Sequence, residues 1–191
     1  MFEIDSFKKT ALAFFIFCST FLYCQSEYSV EEALKVLRLI EKVHKEQIGK
    51  REGDLRTVFV TESELNSYIA YRIEVEQEDI MKELRLKLMK NNRVEGKVVI
   101  DLRGQDLPKF LPPRMTFFLG GKLEVDREWV RLNLKDLFLE NLRIQPEILD
   151  LVIFIGSKIQ NTEPFSLEDW IELPYGIKDI KTQERGVLFY Y

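Results

Sequence analysis

Histidine and cysteine, which often supply nucleophiles, general bases and metal ligands, are almost missing from this chain. It contains one histidine and two cysteines among 191 residues. Both cysteines, Cys18 and Cys24, lie in or next to an apolar segment near the N-terminus. If cleavage after Cys24 or Ser26 removes that segment, the remaining chain has no cysteine. Disulfides, thiolate nucleophiles and cysteine-based metal sites are then excluded together.

The single histidine, His44, has no second histidine and no nearby cysteine with which to form a metal site. It lies at the edge of the apolar stripe of a predicted helix, so we interpret it as a partly buried structural residue. We read the adjacent Glu168 and Asp169 as charges in the first turn of a helix after Ser166, rather than as an acid–base pair.

Glycine-rich phosphate loops and Gly-x-Ser-x-Gly nucleophile elbows are absent from the sequence as well. The pair Gly120-Gly121 stands alone within a strand pattern, where glycine marks a bulge or a close approach of two backbones. The sequence therefore predicts a protein that is not an enzyme and that holds no metal or cofactor.

The overall charge and composition exclude further classes of protein. A net charge of −4 disfavours binding to the nucleic-acid backbone, which requires many lysines and arginines. Hydrophobic residues make up 46% of the chain and charged residues 31%, as in folded globular proteins. The length suits one domain with a substantial core.

The first 26 residues have the layout of a secretory signal peptide. Lys8 and Lys9 precede an apolar run at Thr10–Tyr23, and polar residues follow it. This run of 14 residues is shorter than the ~20 that span a bilayer. We therefore expect export to the periplasm or cell envelope. Acidic residues near the start are untypical of such signals, and an uncleaved anchor is the alternative.

Cys24 is a candidate for lipidation as the first residue of a lipoprotein. The large Tyr23 before it fits this poorly, because the processing site requires small residues there. A lipid anchor at Cys24 is therefore a secondary expectation.

Two capping boxes predict where the first two helices begin. Ser29 and Glu32 open a helix over residues 29–48, and Thr61 and Glu64 open a second one directly after a short strand at residues 57–60. The first helix is amphipathic. A single face of the second helix carries Leu65, Tyr68, Ile69 and Ile73.

The middle of the chain predicts an antiparallel meander of four strands. Leucines and charges alternate over residues 83–88, the Asn91-Asn92-Arg93 step is a turn, and a return strand and two longer strands follow at residues 115–125 and 129–144. The alternation slips near Lys135-Asp136, which predicts a bulge or a bend there.

An apolar helix and a hairpin end the predicted fold. Pro146 stands at a first helical position, and residues 148–156 are apolar on nearly every side, so this helix is fully buried or faces another apolar surface across a gap. Residues 177–181 and 187–191 would pair around Glu184-Arg185-Gly186. The fold class is thus α+β, a strongly curved antiparallel meander sheet with an apolar helix and an additional N-terminal amphipathic helix.

Three features occur in a fixed order: the capped Thr-Glu-Ser-Glu-Leu-Asn-Ser-Tyr helix at residues 61–68, the Gln145-Pro146-Glu147 step and the closing glycine-centred hairpin. In this order they resemble the small bacterial periplasmic lipoproteins of the tubular lipid-binding (TULIP) superfamily. The likeness covers residues 55–191, within a single domain of residues 27–191. It implies a curved sheet wrapped on a helix with an apolar channel between them. The N-terminal helix and linker, residues 27–54, lie outside the pattern and would cap or fill the groove.

The resemblance implies that the protein binds or carries a lipid or other apolar small molecule. The expected lining comes from both helices and from the strands: Leu65, Tyr68, Ile69, Leu86, Ile100, Leu132, Ile148, Leu151, Val152 and Ile155. A patch of basic residues on the first hairpin is a candidate contact for an anionic membrane surface. It comprises Lys82, Arg85, Lys87, Lys90, Arg93 and Lys97.

Two other hypotheses remain open. The same fold with a filled core would make a structural or protein-interaction module of the cell envelope, which recognises a partner by a strand edge or the first helix. A cystatin-like inhibitor or adaptor is disfavoured by the strand-to-helix step at Val60-Thr61, because that fold needs only one leading helix.

Overall fold

A computed structural model describes residues 28–47, 55–77, 79–105, 107–109 and 111–191. The predicted signal segment, residues 1–26 with Cys24, lies outside the described residues. The helices are α1 (Val30–Gln47), α2 (Glu62–Val75) and α3 (Pro146–Gln160). The strands are β1 (Thr57–Thr61), β2 (Met81–Met89), β3 (Arg93–Asp101), β4 (Arg114–Asp126), β5 (Trp129–Leu139), β6 (Leu142–Arg143), β7 (Ile171–Glu172), β8 (Asp179–Gln183) and β9 (Gly186–Tyr190).

The larger sheet is a meander in which β2 to β6 lie side by side in sequence order, and β7 pairs with the start of β5. It is strongly curled into a half-barrel, which confirms the α+β fold class predicted from the sequence. Asn91 and Asn92 form the turn between β2 and β3 with positive φ angles of 63° and 60°. Asparagine tolerates this left-handed backbone better than most residues.

The bulge predicted near Lys135-Asp136 is confirmed. Gly120 lies opposite Asp136 and Gly121 opposite Leu134, so Lys135 has no partner across the ladder. A Cβ atom on Gly121 would lie 2.6 Å from the carbonyl oxygen of Asn133, and glycine is therefore required at this close approach. The extra residue shifts the alternation of β5 and bends the sheet.

Strand β5 is shorter than the strand predicted at residues 129–144. It ends at Leu139, and Glu140 adopts a positive φ of 52° in a turn that leads back into β6. The sequence prediction missed this turn because its residues continue the strand-like pattern.

A second sheet of three strands has the order β1-β9-β8. The closing hairpin of β8 and β9 was predicted, whereas the pairing of β9 with β1 was not. Thr57 lies opposite Tyr190 and Thr61 opposite Gly186. Two distant parts of the chain are joined in this way.

The buried side chains form two clusters. The first lies between α3 and the inner face of the large sheet, where Leu149 and Val152 pack with strand residues such as Phe117 and Leu137. The second lies where α1, α2 and the small sheet meet the other half of the large sheet. Phe154 on α3 is 45% exposed, so the first of the two expectations for this helix, full burial, is wrong.

Two other local predictions need correction. His44 is exposed on α1 rather than partly buried. Glu168 and Asp169 lie in a turn and not in a helix, and the Asp169 carboxylate accepts a hydrogen bond of 2.8 Å from the Ser166 N–H. No helix in the described part of the chain is long and apolar enough to cross a bilayer.

Candidate functional site

The capping box that opens α2 is formed as predicted. The Thr61 hydroxyl accepts a hydrogen bond from the Glu64 N–H at 3.2 Å, and the Glu64 carboxylate accepts one from the Thr61 N–H at 2.9 Å. Burial raises the pKa of Glu64, but hydrogen bonds from Lys35 and Thr61 outweigh it and lower the pKa overall. Glu64 therefore stays ionised and joins α1 to α2 through Lys35.

Polar side chains of α2 also fix this helix against the edge of the large sheet. The Asn66 side-chain amide donates to the Leu86 carbonyl and accepts from the Leu86 N–H, both at 2.7 Å. Glu62 accepts a hydrogen bond of 2.6 Å from the Leu88 N–H. These contacts replace those of a further strand and set the position of α2.

The N-terminal turn of α1 is attached to α2 by a second group of hydrogen bonds. Ser29 caps α1 by accepting from the Glu32 N–H at 3.3 Å. The second hydrogen bond expected of this capping box, from the Ser29 N–H to the Glu32 carboxylate, is replaced by others. The Glu32 carboxylate accepts from Ser63 and Ser67 of α2 instead. The Ser29 N–H donates to the Ser67 hydroxyl. These hydrogen bonds hold the start of α1 against α2.

An apolar pocket of about 340 Å³ lies between α1, α2 and the small sheet. Ten of its twelve lining residues are aliphatic, proline or phenylalanine, and two are tyrosines. The lining residues are Val36, Leu39, Ile40, Val43, Val58, Val60, Leu65, Tyr68, Pro174, Ile177, Phe189 and Tyr191. This volume falls within the ~300–1,000 Å³ typical of small-molecule sites. The pocket can therefore accept an apolar group of modest size.

One tyrosine of the pocket, Tyr191, is held by a polar group next to it. Its hydroxyl donates to the Glu46 carboxylate at 3.0 Å, and Arg56 donates to the same carboxylate at 2.8 Å. The hydrogen bond from Arg56, with that from Tyr191, lowers the pKa of Glu46. Burial, and then the contact with Glu46, raise the pKa of Tyr191. At neutral pH this tyrosine is a neutral, oriented hydroxyl.

The other tyrosine, Tyr68, borders both the pocket and a smaller depression between α2 and the start of β2. Its hydroxyl accepts a hydrogen bond of 2.9 Å from Arg72, whose guanidinium carbon lies 5.8 Å from the centre of the Tyr68 ring. The depression has a volume of about 210 Å³ and includes Ile69 and Met81. Tyr68 is therefore the residue that borders both spaces.

The predicted lining residues lie in different parts of the fold, among them the apolar pocket, the smaller depression and the two buried clusters. Leu65 and Tyr68 border the apolar pocket, and Ile69 borders the smaller depression. The first buried cluster and its margin hold Ile100, Leu151, Val152 and Ile155. Leu132 touches both clusters, Leu86 packs against the second, and Ile148 is half-buried on α3.

Most of the pocket wall was not predicted as lining. Four of the missed residues come from α1, and its apolar stripe was the signal that could have identified them. The others come from β1, from β9 with the following Tyr191, and from the segment of Pro174 and Ile177 before β8. The contribution of Val58 and Phe189 depends on the unforeseen pairing of β1 with β9.

The predicted basic patch lies on the exposed β2–β3 hairpin, but its charges are largely paired. Lys97 forms an ion pair of 2.8 Å with Glu83, and Lys87 and Lys90 pair with Glu95 and Glu184. The patch therefore has less free positive charge than its sequence suggests. Arg85, Lys87 and Lys97 also line an open groove of about 960 Å³ together with Phe118 and Phe138.

The described residues contain no group of three or more histidine, cysteine, aspartate or glutamate side chains that could hold a metal ion. Comparison with protein-family models and with curated proteins gives no match to this chain.

Proposed function

We propose that this protein binds an apolar ligand, such as the hydrocarbon chain of a lipid, in the pocket between α1, α2 and the small sheet. The observation that carries the proposal is the pocket itself, whose wall consists of ten apolar residues and two tyrosines. Leu65 and Tyr68, which the sequence predicted as lining, contribute to this wall. The proposed ligand class is thus the expected one, at a site to which α1 contributes four of the twelve lining residues.

The binding energy would come from removing the ligand from water. Each methylene group transferred into an apolar site contributes about 0.8 kcal/mol. Association itself costs at least ~4 kcal/mol in lost translational and rotational freedom. Several methylene groups must therefore enter the pocket before binding is measurable, which favours an alkyl chain over a small apolar molecule.

The proposal is one of binding or carrying without catalysis. The polar side-chain groups of the pocket wall are the hydroxyls of Tyr68 and Tyr191, each already in a hydrogen bond. The raised pKa of Tyr191 keeps its proton in place at neutral pH. Neither group is an activated nucleophile.

The location in the periplasm or cell envelope, with or without a lipid on Cys24, belongs to the same proposal. It rests on the N-terminal sequence, with Lys8 and Lys9 before an apolar run. The exposed hairpin with its lysines and arginines would contact an anionic membrane surface. The pairing of Lys87, Lys90 and Lys97 with glutamates would weaken this contact.

Native mass spectrometry with solvent extraction of the purified protein tests the proposal, supported by two matched variants on α1. Ile40 lines the pocket, and Ile40→Trp should fill it and abolish binding of a fluorescent fatty acid. Leu34 is exposed on the same helix and outside the pocket lining, so Leu34→Trp should bind as the unchanged protein does. Similar thermal melting of the two variants would show that the fold survives.

The proposal fails if no lipid is extracted and the unchanged protein ignores fluorescent fatty acids. Equal binding by the Ile40→Trp and Leu34→Trp variants would refute this pocket as the site.

The second candidate function is a structural or protein-interaction module of the envelope. It is favoured by the direct packing of Leu149 and Val152 of α3 against the large sheet, which fills the space where a lipid channel was expected. This candidate predicts a protein without extractable ligand and with a defined partner in crosslinking.

A further inference from the structure

Along the outer edge of β2, the residues differ in whether their backbone N–H and C=O groups have hydrogen-bond partners. In an antiparallel ladder, every second residue points its N–H and C=O away from the neighbouring strand. The Leu88 N–H donates to Glu62, the Leu88 carbonyl accepts from the Arg185 N–H, and both backbone groups of Leu86 bind the Asn66 amide. These residues therefore carry the outward-pointing groups of β2.

Leu84 is the next residue in this alternation, and it lies opposite Val98. Its N–H and C=O point in the same direction as those of Leu86, toward α2. Among the described residues no side chain or backbone group is bonded to them. Asn66 is therefore the last side chain of α2, in sequence order, that bonds to the outer edge of β2.

A groove of about 590 Å³ begins where this cover ends, between β2 and α2. Leu84 forms its strand side, and Ala70, Ile73 and Glu74 form its helix side. Ala70 is small and leaves room next to the backbone of Leu84. Tyr28, which precedes α1, borders the groove and donates a hydrogen bond to Glu74.

We infer that this groove binds an extended segment of a partner polypeptide by strand addition to β2 at Leu84. The two backbone groups of Leu84 match the donor and acceptor of a peptide unit, which is what gives affinity in strand addition. Asn66 already demonstrates the match at the neighbouring position, because its amide binds both groups of Leu86. Ala70 and Ile73 would receive an apolar side chain of the added segment. This inference does not depend on the proposed lipid pocket.

A library of random heptapeptides displayed on phage and selected against the purified full chain provides the probe. The selected peptides, once synthesised, should slow hydrogen exchange of the Leu84 amide and shift its resonance. Ala70→Arg, which fills the groove with a residue suited to helices, should weaken their binding by about tenfold or more. Val75 is exposed on the same helix and outside the groove, so Val75→Arg should leave binding unchanged.

Four results would overturn the inference. The library could yield no binding peptide, the bound peptides could leave the Leu84 amide unaffected, or the Ala70→Arg variant could bind them as the unchanged protein does. In the fourth result, the Leu84 amide of the full chain is protected from hydrogen exchange before peptide is added, because residues preceding Tyr28 occupy the groove instead of a partner. The exchange measurement on the unchanged protein stands even if Ala70→Arg fails to fold.

Discussion

Asn66 lies where a helix meets the edge of a sheet, and its side chain acts there as a substitute for a strand. Its amide satisfies the N–H and C=O of Leu86, while Glu62 one turn earlier satisfies the Leu88 N–H. The sequence identified this segment by its capping box and by a family resemblance, but it did not show what Asn66 contacts. The role of Asn66 depends on a strand 20 residues away, which local patterns do not report.

Asp101 at the end of β3 gives a prediction for acidic solution. Hydrogen bonds from Arg103 are the main cause that lowers its pKa to about 2. This is below the ~3.9 of an unfolded chain, so the ionised carboxylate favours the folded state. The stabilisation is complete above about pH 4 and is lost as the pH falls toward 2.

Urea unfolding of the protein and of Asp101→Asn over this pH range checks the prediction. The variant should be less stable at pH 5, and the difference in free energy of unfolding should shrink as the pH falls to 2. A difference that stays constant across the range would contradict the assigned ion pair with Arg103.

At the scale of elements, the sequence predicted what short-range patterns determine. The start of α3 at Pro146 was predicted, because proline suits the first position of a helix. The slip at Lys135 revealed the bulge, since alternation reverses there. The pairing of β1 with β9 was missed because the two strands are far apart in sequence, and the pattern of each predicts a strand without indicating its partner.

The bulge in the large sheet yields a matched pair of substitutions. A Cβ atom on Gly121 would lie 2.6 Å from the Asn133 oxygen, whereas one on Gly120 would meet Asp136 at an ordinary 3.7 Å. Gly121→Ala should therefore destabilise the fold by roughly 1–3 kcal/mol, the usual effect of overpacking. Gly120→Ala should change stability much less. Chemical denaturation compares them, and equal effects of the two substitutions would contradict the observed register.

At the scale of the whole molecule, the two buried clusters explain why the site was only partly predicted. Leu65 and Tyr68 of α2, which the sequence predicted as lining residues, border an apolar pocket whose opposite wall comes from α1 and not from the expected α3. The sequence of α3 is apolar on several sides, which suggested a gap. In the fold its Leu149 and Val152 meet the large sheet, and the pocket forms in the other cluster.

The whole-molecule account predicts how affinity depends on ligand length. In a series of saturated fatty acids, each added methylene that enters the pocket should lower the Kd about fourfold, because it contributes about 0.8 kcal/mol. The gain should stop when the pocket is full. Isothermal titration calorimetry measures the series, and a Kd independent of chain length would argue against burial of the alkyl chain.

The position of a bound alkyl chain is the most direct test of the account. With a methyl-labelled protein and dodecanoate as the ligand, intermolecular nuclear Overhauser effects report which side chains contact the chain. We expect contacts from Val36, Leu65 and Ile177, which line the pocket. Contacts confined to Leu151 and Ile155 of α3, or none to any labelled methyl group, would contradict it.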